Sequence, residues 1–193
     1  MFTFWQVESF QHFVAGQVLP EEFDAGYRVL LDKDGLTASL PPPSYRADIP
    51  KPPEASEYLE AVEVFFLDES YIAKYLWRDD VMAAKEILDH FMKQEHVRPM
   101  LEWHYEIEHG WTVKPGLHGR RMKRWLRPDL WQELEQTYAG AGLEENWSAL
   151  FRTIALMRRA AREVGEKLGY AYPQELDRKA VGYLEKIRNS PHP

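Results

Sequence analysis

Tyr71, Lys74 and Arg78 follow one another at spacings of three and four, which on an α-helix puts all three on one face. Two cations at i and i+4 repel each other unless an anion lies between them, and lysine and arginine both bind phosphate. The trio is therefore a candidate contact for a phosphate-bearing ligand. The alternative is a surface pair bridged to Asp79 or Asp80. Nearby, Glu69 interrupts an apolar stripe between Phe66 and Ala73. A carboxylate there is turned outward, paired internally or held for acid–base work, and the cost of burying an unpaired charge favours the internal pair.

The stretch Leu101–His109 carries three carboxylates and two imidazoles. As a helix it sets Glu102 and Glu106 on one face and His104 and Glu108 on another. His104, Glu108 and His109 match no established zinc spacing, so no metal site is expected from them. The carboxylates suit a cationic ligand better, because ammonium and guanidinium groups need paired acceptors. Solvated charge at a helix end is the alternative. Beyond it, Lys114, Arg120, Arg121, Lys123, Arg124 and Arg127 form a basic run without an acid. The run reads either as an anion site, where Gly116 and Gly119 let backbone approach a phosphate, or as a patch docked on an acidic surface of the protein. No Walker-type loop, GxGxxG pattern or serine–histidine–acid set accompanies these residues, and no catalytic residue is assigned.

The elements that must position these groups are helical. In 193 residues, 45% hydrophobic and 28% charged, seven tryptophans, ten tyrosines and nine phenylalanines argue for a packed core rather than disorder. With no cysteine there is neither disulfide nor thiolate site, which fits a reducing cytoplasm. No apolar run is long enough to span a membrane, and the first residues lack a signal peptide's basic region, so a cytoplasmic protein is expected. A formal charge of −7 disfavours nucleic acid as a partner.

Phe2–Val7 alternates like a strand, and residues 40 to 53, with six prolines, read as an extended connector. After Pro53 the period becomes helical. Leu59, Val62, Phe66, Ala73 and Leu76 form one stripe, while Val64, Leu67 and Tyr71 are apolar on another side, as in a central helix packed on more than one face. A second helix is predicted from about Asp79 to Val97, restarted or kinked by Pro99, and later ones at 128–138, 144–168 and 174–188. The stripe of the 144–168 helix runs through Trp147, Leu150, Phe151, Ile154, Met157, Ala161, Val164 and Leu168. Gly169 is placed to stop it, and Pro173 to open the next helix. The expected fold is mainly α: a helical bundle over 54–193, preceded by a strand remnant and proline-rich connector over 1–53.

Several of these segments, in order and in register from about residue 2 to residue 188, resemble the aminoglycoside 6-adenylyltransferases, which modify streptomycin. They are Leu30 to Leu36, Tyr71 to Arg78, Met100 to His104, the glycine-basic run Gly116 to Leu126, and Tyr170 to Pro173. The resemblance implies a two-domain enzyme, in which a metal-binding nucleotidyltransferase domain of mixed sheet and helices precedes a helical bundle that closes over nucleotide and drug. The reaction it implies moves AMP from Mg-ATP to an aminoglycoside hydroxyl. This chain resembles the second part. Phe2–Thr3–Phe4 match the strand after the third metal-binding aspartate, whose place Met1 takes, as in a cut fragment or a naturally short reading frame. By the same resemblance Lys74, Tyr71, Arg78, Arg120 and Lys123 would face the nucleotide phosphates. Trp77, Glu102, Trp103 and Glu108 would face the cationic drug. Leu117 stands where the family often has lysine, and Ser70 where some related enzymes place a base. The implied partners are ATP, an aminoglycoside-like cation, and either the missing domain or a second copy paired through the N-terminal strand.

Overall fold

The computed structural model describes residues 4–16, 19–47, 49–113 and 116–191, the side chain of Leu117 aside. Two compact units divide the chain, Met1–Ile49 and Pro50–Pro193.

In the first unit, α1 (Val7–Gly16) and α2 (Glu21–Asp24) bury no residue fully. What holds it is aromatic. Phe13 stacks on Phe23 at 5.7 Å, and Trp5 meets both rings edge-on or tilted. Such pairs contribute about 0.5–1.5 kcal/mol each beyond their area. The strand expected at Phe2–Val7 is not seen among the described residues. Phe2 and Thr3 lie outside them, Phe4–Gln6 is coil, and Val7 already opens α1. A lone strand has no ladder to satisfy its backbone, whereas a helix satisfies its own.

The second unit holds the core. α3 (Ala55–Trp77) starts after Pro52 and Pro53, where the Glu57 carboxylate accepts the Glu54 backbone N–H at 2.7 Å. It buries Tyr58, Val62, Phe65, Phe66, Ile72, Ala73 and Leu76. Val64, Leu67 and Tyr71, expected to pack a second face, are exposed, and so is Leu59 of the predicted core-facing stripe. α3 thus packs on several helices of the bundle but leaves one face open to solvent.

α4 (Val81–Lys85), a π-helical segment (Glu86–Val97) and α5 (Arg98–Glu108) follow without a break. Pro99 stands in the first turn of α5, where the π-helical segment gives way to an α-helix. Its ring would clash with a carbonyl of the preceding α-turn, and the wider π-turn relieves that clash while dispensing with the missing N–H. After a loop come α6 (Met122–Trp125), α7 (Pro128–Glu135), α8 (Leu143–Leu168) and α9 (Gln174–Arg188). α8 buries Trp147, Leu150, Ile154, Met157, Ala161 and Val164 along the predicted stripe, with Phe151 and Leu168 half-buried beside them. It ends at Gly169 in the left-handed conformation (φ 79°), and Pro173 caps α9. α8 packs on α5, α3 and α7, and α3 packs on α9 and the π-helical segment. Residues 40–53 are non-helical where described. Among the described residues there is no strand, and no helix is long and apolar enough to cross a membrane.

Candidate functional site

The C-terminal end of α3 carries the first set of candidate residues. The ammonium of Lys74 lies 5.3 Å from the centre of the Tyr71 ring, a cation–π contact on the exposed side of the helix. Arg78 caps the helix and is exposed. Neither cation forms an ion pair among the described residues, so the bridge to Asp79 or Asp80 is absent. What favours two cations here is the C-terminal end of the helix, where carbonyls point outward. Trp77 is half-buried and donates its indole N–H to the Ser190 carbonyl at 3.3 Å, which ties α3 to the end of α9.

The second set sits on α5, and the structure separates its members. Glu102 is buried and accepts a hydrogen bond from Arg98 at 2.9 Å. Burial raises its pKa, and Arg98 opposes the rise. Trp103 is half-buried against the core. Glu106, on the same face as Glu102, is buried, and its carboxylate accepts the Val113 N–H at 3.2 Å. Glu108 is exposed on another side, with His104.

That other side is a cleft of about 240 Å³ lined by His104, Ile107, Glu108, Arg127, Glu163, Glu166 and Lys167. His104 is buried, and its Nε2 lies 2.7 Å from the Glu163 carboxylate. Its Nδ1 is buried without a hydrogen-bond partner among the described residues. Glu163 also accepts from Arg127 at 3.0 Å and from Arg159 at 2.9 Å. Its burial favours the neutral acid, but the bonds from His104 and Arg159 outweigh this and hold its pKa below the usual range. Arg127 further binds Asp129 at 2.9 Å and approaches Glu108 at 3.7 Å, and Arg159 also binds Asp129 and Glu133. Glu166 and Lys167, at the mouth, form no ion pair among the described residues.

The basic run is dispersed. Lys114 lies outside the described residues. Arg120 is exposed, and its backbone bridges to Gly116. Lys123 stands 3.6 Å from Glu135 and 5.1 Å from the Trp131 ring, while Arg127 belongs to the cleft network. The run is thus partly a patch paired with acids of α7. His118, Gly119 and Arg121 all take left-handed backbone angles.

Sequence reading missed Glu163, Arg159 and Glu166. A hint was available: Arg159 and Glu163 are four apart on α8, off its apolar stripe. Their partners on α5 and α7 are invisible to any local pattern. Glu69 also departs from its expected pairing. It is fully buried, and neither carboxylate oxygen has a hydrogen-bond partner. Burial, then the nearby Asp177 charge, pushes its pKa up to about 8.

No three acidic or imidazole side chains converge among the described residues to hold a metal ion. The residues present therefore do not fit the divalent metal that the resemblance implies. They provide two unpaired cations on a helix end, Arg78 exposed and Lys74 half-buried, able to meet phosphate, and a cleft edged by carboxylates, able to meet a cation.

A family model described as streptomycin adenylyltransferase matches residues 2–187. The aminoglycoside 6-adenylyltransferase of Bacillus subtilis (strain 168) is 32% identical over 164 residues, covering 85% of this chain and 57% of the relative. That of Campylobacter jejuni is 26% identical over 167 residues, covering 86% and 55%. A crystal structure of an aminoglycoside 6-adenyltransferase from Bacillus subtilis superposes with a TM-score of 0.67 at 31% identity, over 72% of this chain and 52% of that one. The chain spans about half the length of the relatives it matches.

Proposed function

The chain belongs to the streptomycin adenylyltransferase family, and on that premise we propose that it is the helical half of an aminoglycoside 6-adenylyltransferase. In the whole reaction an aminoglycoside hydroxyl oxygen bonds to the α-phosphorus of ATP while the bond to pyrophosphate breaks. The hydroxyl proton passes to a base, and pyrophosphate leaves. This chain's part is to hold the reactants. Lys74 and Arg78 neutralise phosphate charge beside Tyr71, and Arg120 and Lys123 add positive charge from the loop and α6. Glu108 and Glu166, at the cleft mouth, accept the drug's cationic groups, with Glu102, Trp77 and Trp103 shaping the neighbouring helix surfaces.

The observation that supports this reading most directly is the unpaired state of Lys74 and Arg78. Most of the arginines in the bundle pair with a carboxylate, yet exposed Arg78 and half-buried Lys74 have no acid partner among the described residues. Calorimetric titration of the chain with streptomycin and, separately, with Mg-ATP tests it. Binding of both, with no AMP transfer until a nucleotidyltransferase domain is added, is the expected result. Drug binding with no nucleotide binding would make the chain a cation-binding module derived from the family. No binding of either would sink the proposal.

A further inference from the structure

The cleft between α5 and α8 already holds a cation, the guanidinium of Arg127. Pro128 follows that residue and keeps its backbone extended (φ −53°, ψ 141°) at the start of α7. From there the side chain meets both walls of the cleft. Its Nη1 lies 3.0 Å from Glu163 of α8 and 3.7 Å from Glu108 of α5. Its Nε and Nη2 both donate to Asp129, at 3.2 and 2.9 Å. The two edges of the guanidinium thus have different tasks. One grips a carboxylate in the first turn of α7 at two points, a strong contact for arginine. The other spans the cleft through Nη1 alone.

Withdrawal of Nη1 leaves no buried charge bare. Glu163 keeps Arg159 at 2.9 Å and His104 at 2.7 Å, and Glu108 is exposed to water. The withdrawal therefore costs one partly exposed ion pair, roughly fivefold in affinity. Its effect on an entering cation is electrostatic. Glu108, Glu163 and Glu166 line the cleft against Arg127 and Lys167. Three carboxylates against two cations present one net negative charge, and without Arg127 they present two.

We infer that Arg127 is a gate that holds the place of a ligand guanidinium between Glu108 and Glu163, and that the arriving ligand turns it aside onto Asp129. The inference rests on the reading of this cleft as the site for the drug's cationic groups, and it names the group that is taken. A planar guanidinium offers two carboxylates the donor fork that Arg127 offers them, whereas an ammonium acts as a point charge.

Titration of the full chain with streptomycin, and with agmatine and cadaverine as a matched guanidinium and ammonium pair, tests this in the wild type and in R127Q. The wild type should bind agmatine more tightly than cadaverine. R127Q should bind streptomycin and agmatine roughly fivefold more tightly than the wild type. K186Q removes the same charge from the last turn of α9, where the neighbouring Arg188 pairs with Glu144 at the far end of α8, and should leave both affinities unchanged. If R127Q melts early, R127K serves in its place. It keeps a charge beside Asp129 without a second edge to span the cleft, and it should gain affinity by less. Cation binding that neither Arg127 variant strengthens overturns the gate and leaves the cation site standing. So does cadaverine bound as tightly as agmatine, or an equal gain in K186Q. Failure of all three cations to bind either the wild type or R127Q overturns the gate together with the cation site.

Discussion

Glu69 shows how much a single buried group can matter. A carboxyl with a pKa of about 8 in the folded chain, against 4.5 ordinarily, keeps a proton that the unfolded chain gives up. Folding is therefore favoured below about pH 4.5, and that advantage is lost as pH rises toward 8. The loss is on the order of 3 kcal/mol, taking about 1.4 kcal/mol per unit with some relief from solvent reaching the site. Glu69→Gln should melt higher than the wild type at pH 8 and match it near pH 4. A pH-independent difference between the two melting curves would show that Glu69 is not carried as the neutral acid. Lys74 is the opposite case. It lies over the Tyr71 ring and makes no ion pair or hydrogen bond among the described residues, so Lys74→Ala should change stability by less than about 1 kcal/mol. Its effect should appear instead as weakened Mg-ATP binding in calorimetry. A melting point lowered by many degrees would point to a structural role.

At the scale of elements, α3 and α8 cross closely at Gly165. Tyr58 donates its hydroxyl to the Ala161 carbonyl at 2.8 Å, and beside it Gly165 leaves no room for a side chain. A Cβ there would lie 2.7 Å from the Tyr58 hydroxyl and 2.9 Å from the Tyr170 carbonyl. Gly165→Ala should cost about 1–3 kcal/mol by forcing the helices apart. Gly182 in α9 has nothing within 4 Å of its Cβ position. Gly182→Ala should stabilise by about 0.5–1 kcal/mol, because it removes only the entropic cost of glycine in a helix. Denaturant melts of the two variants should shift in opposite directions, and shifts of the same sign would contradict this account of the joint. α9 is also tied inward by Arg158 on α8, whose guanidinium grips the buried Asp177 at 2.6 and 2.7 Å. Tyr172 adds its hydroxyl to the same carboxylate at 2.9 Å.

For the whole molecule, the large hydrophobic core belongs to residues 50–193, while the first unit rests on a small set of aromatic contacts. A chain of residues 50–193 alone should therefore fold with its full helical signal and a single cooperative melt. A broad, non-cooperative transition would show that the bundle depends on the first unit. The clustered ion pairs around Glu163 and Asp177 belong to the bundle as well, so the shortened chain should keep the cleft between α5 and α8 intact.

Several features were legible in the residues alone. The apolar stripe of α8, its stop at Gly169 and the opening of α9 at Pro173 follow from local sterics and a period of 3.6, which any short window reveals. The segments quoted from Leu30 to Pro173 likewise sufficed to place the chain in its family. The face of α3 was harder. Val64, Leu67 and Tyr71 are apolar, but whether a neighbour covers them depends on where other helices lie. The π-turn before Pro99 follows from a clash that is local, yet several geometries relieve it. Charge pairing lay furthest from view. His104 meets Glu163 across 59 positions of sequence, and Tyr58 meets Ala161 across 103. Spacing along one helix determines which residues share a face. Only the packing of the helices decides which opposing charge that face meets, and whether, as at Glu69, a buried carboxyl is left without a hydrogen-bond partner.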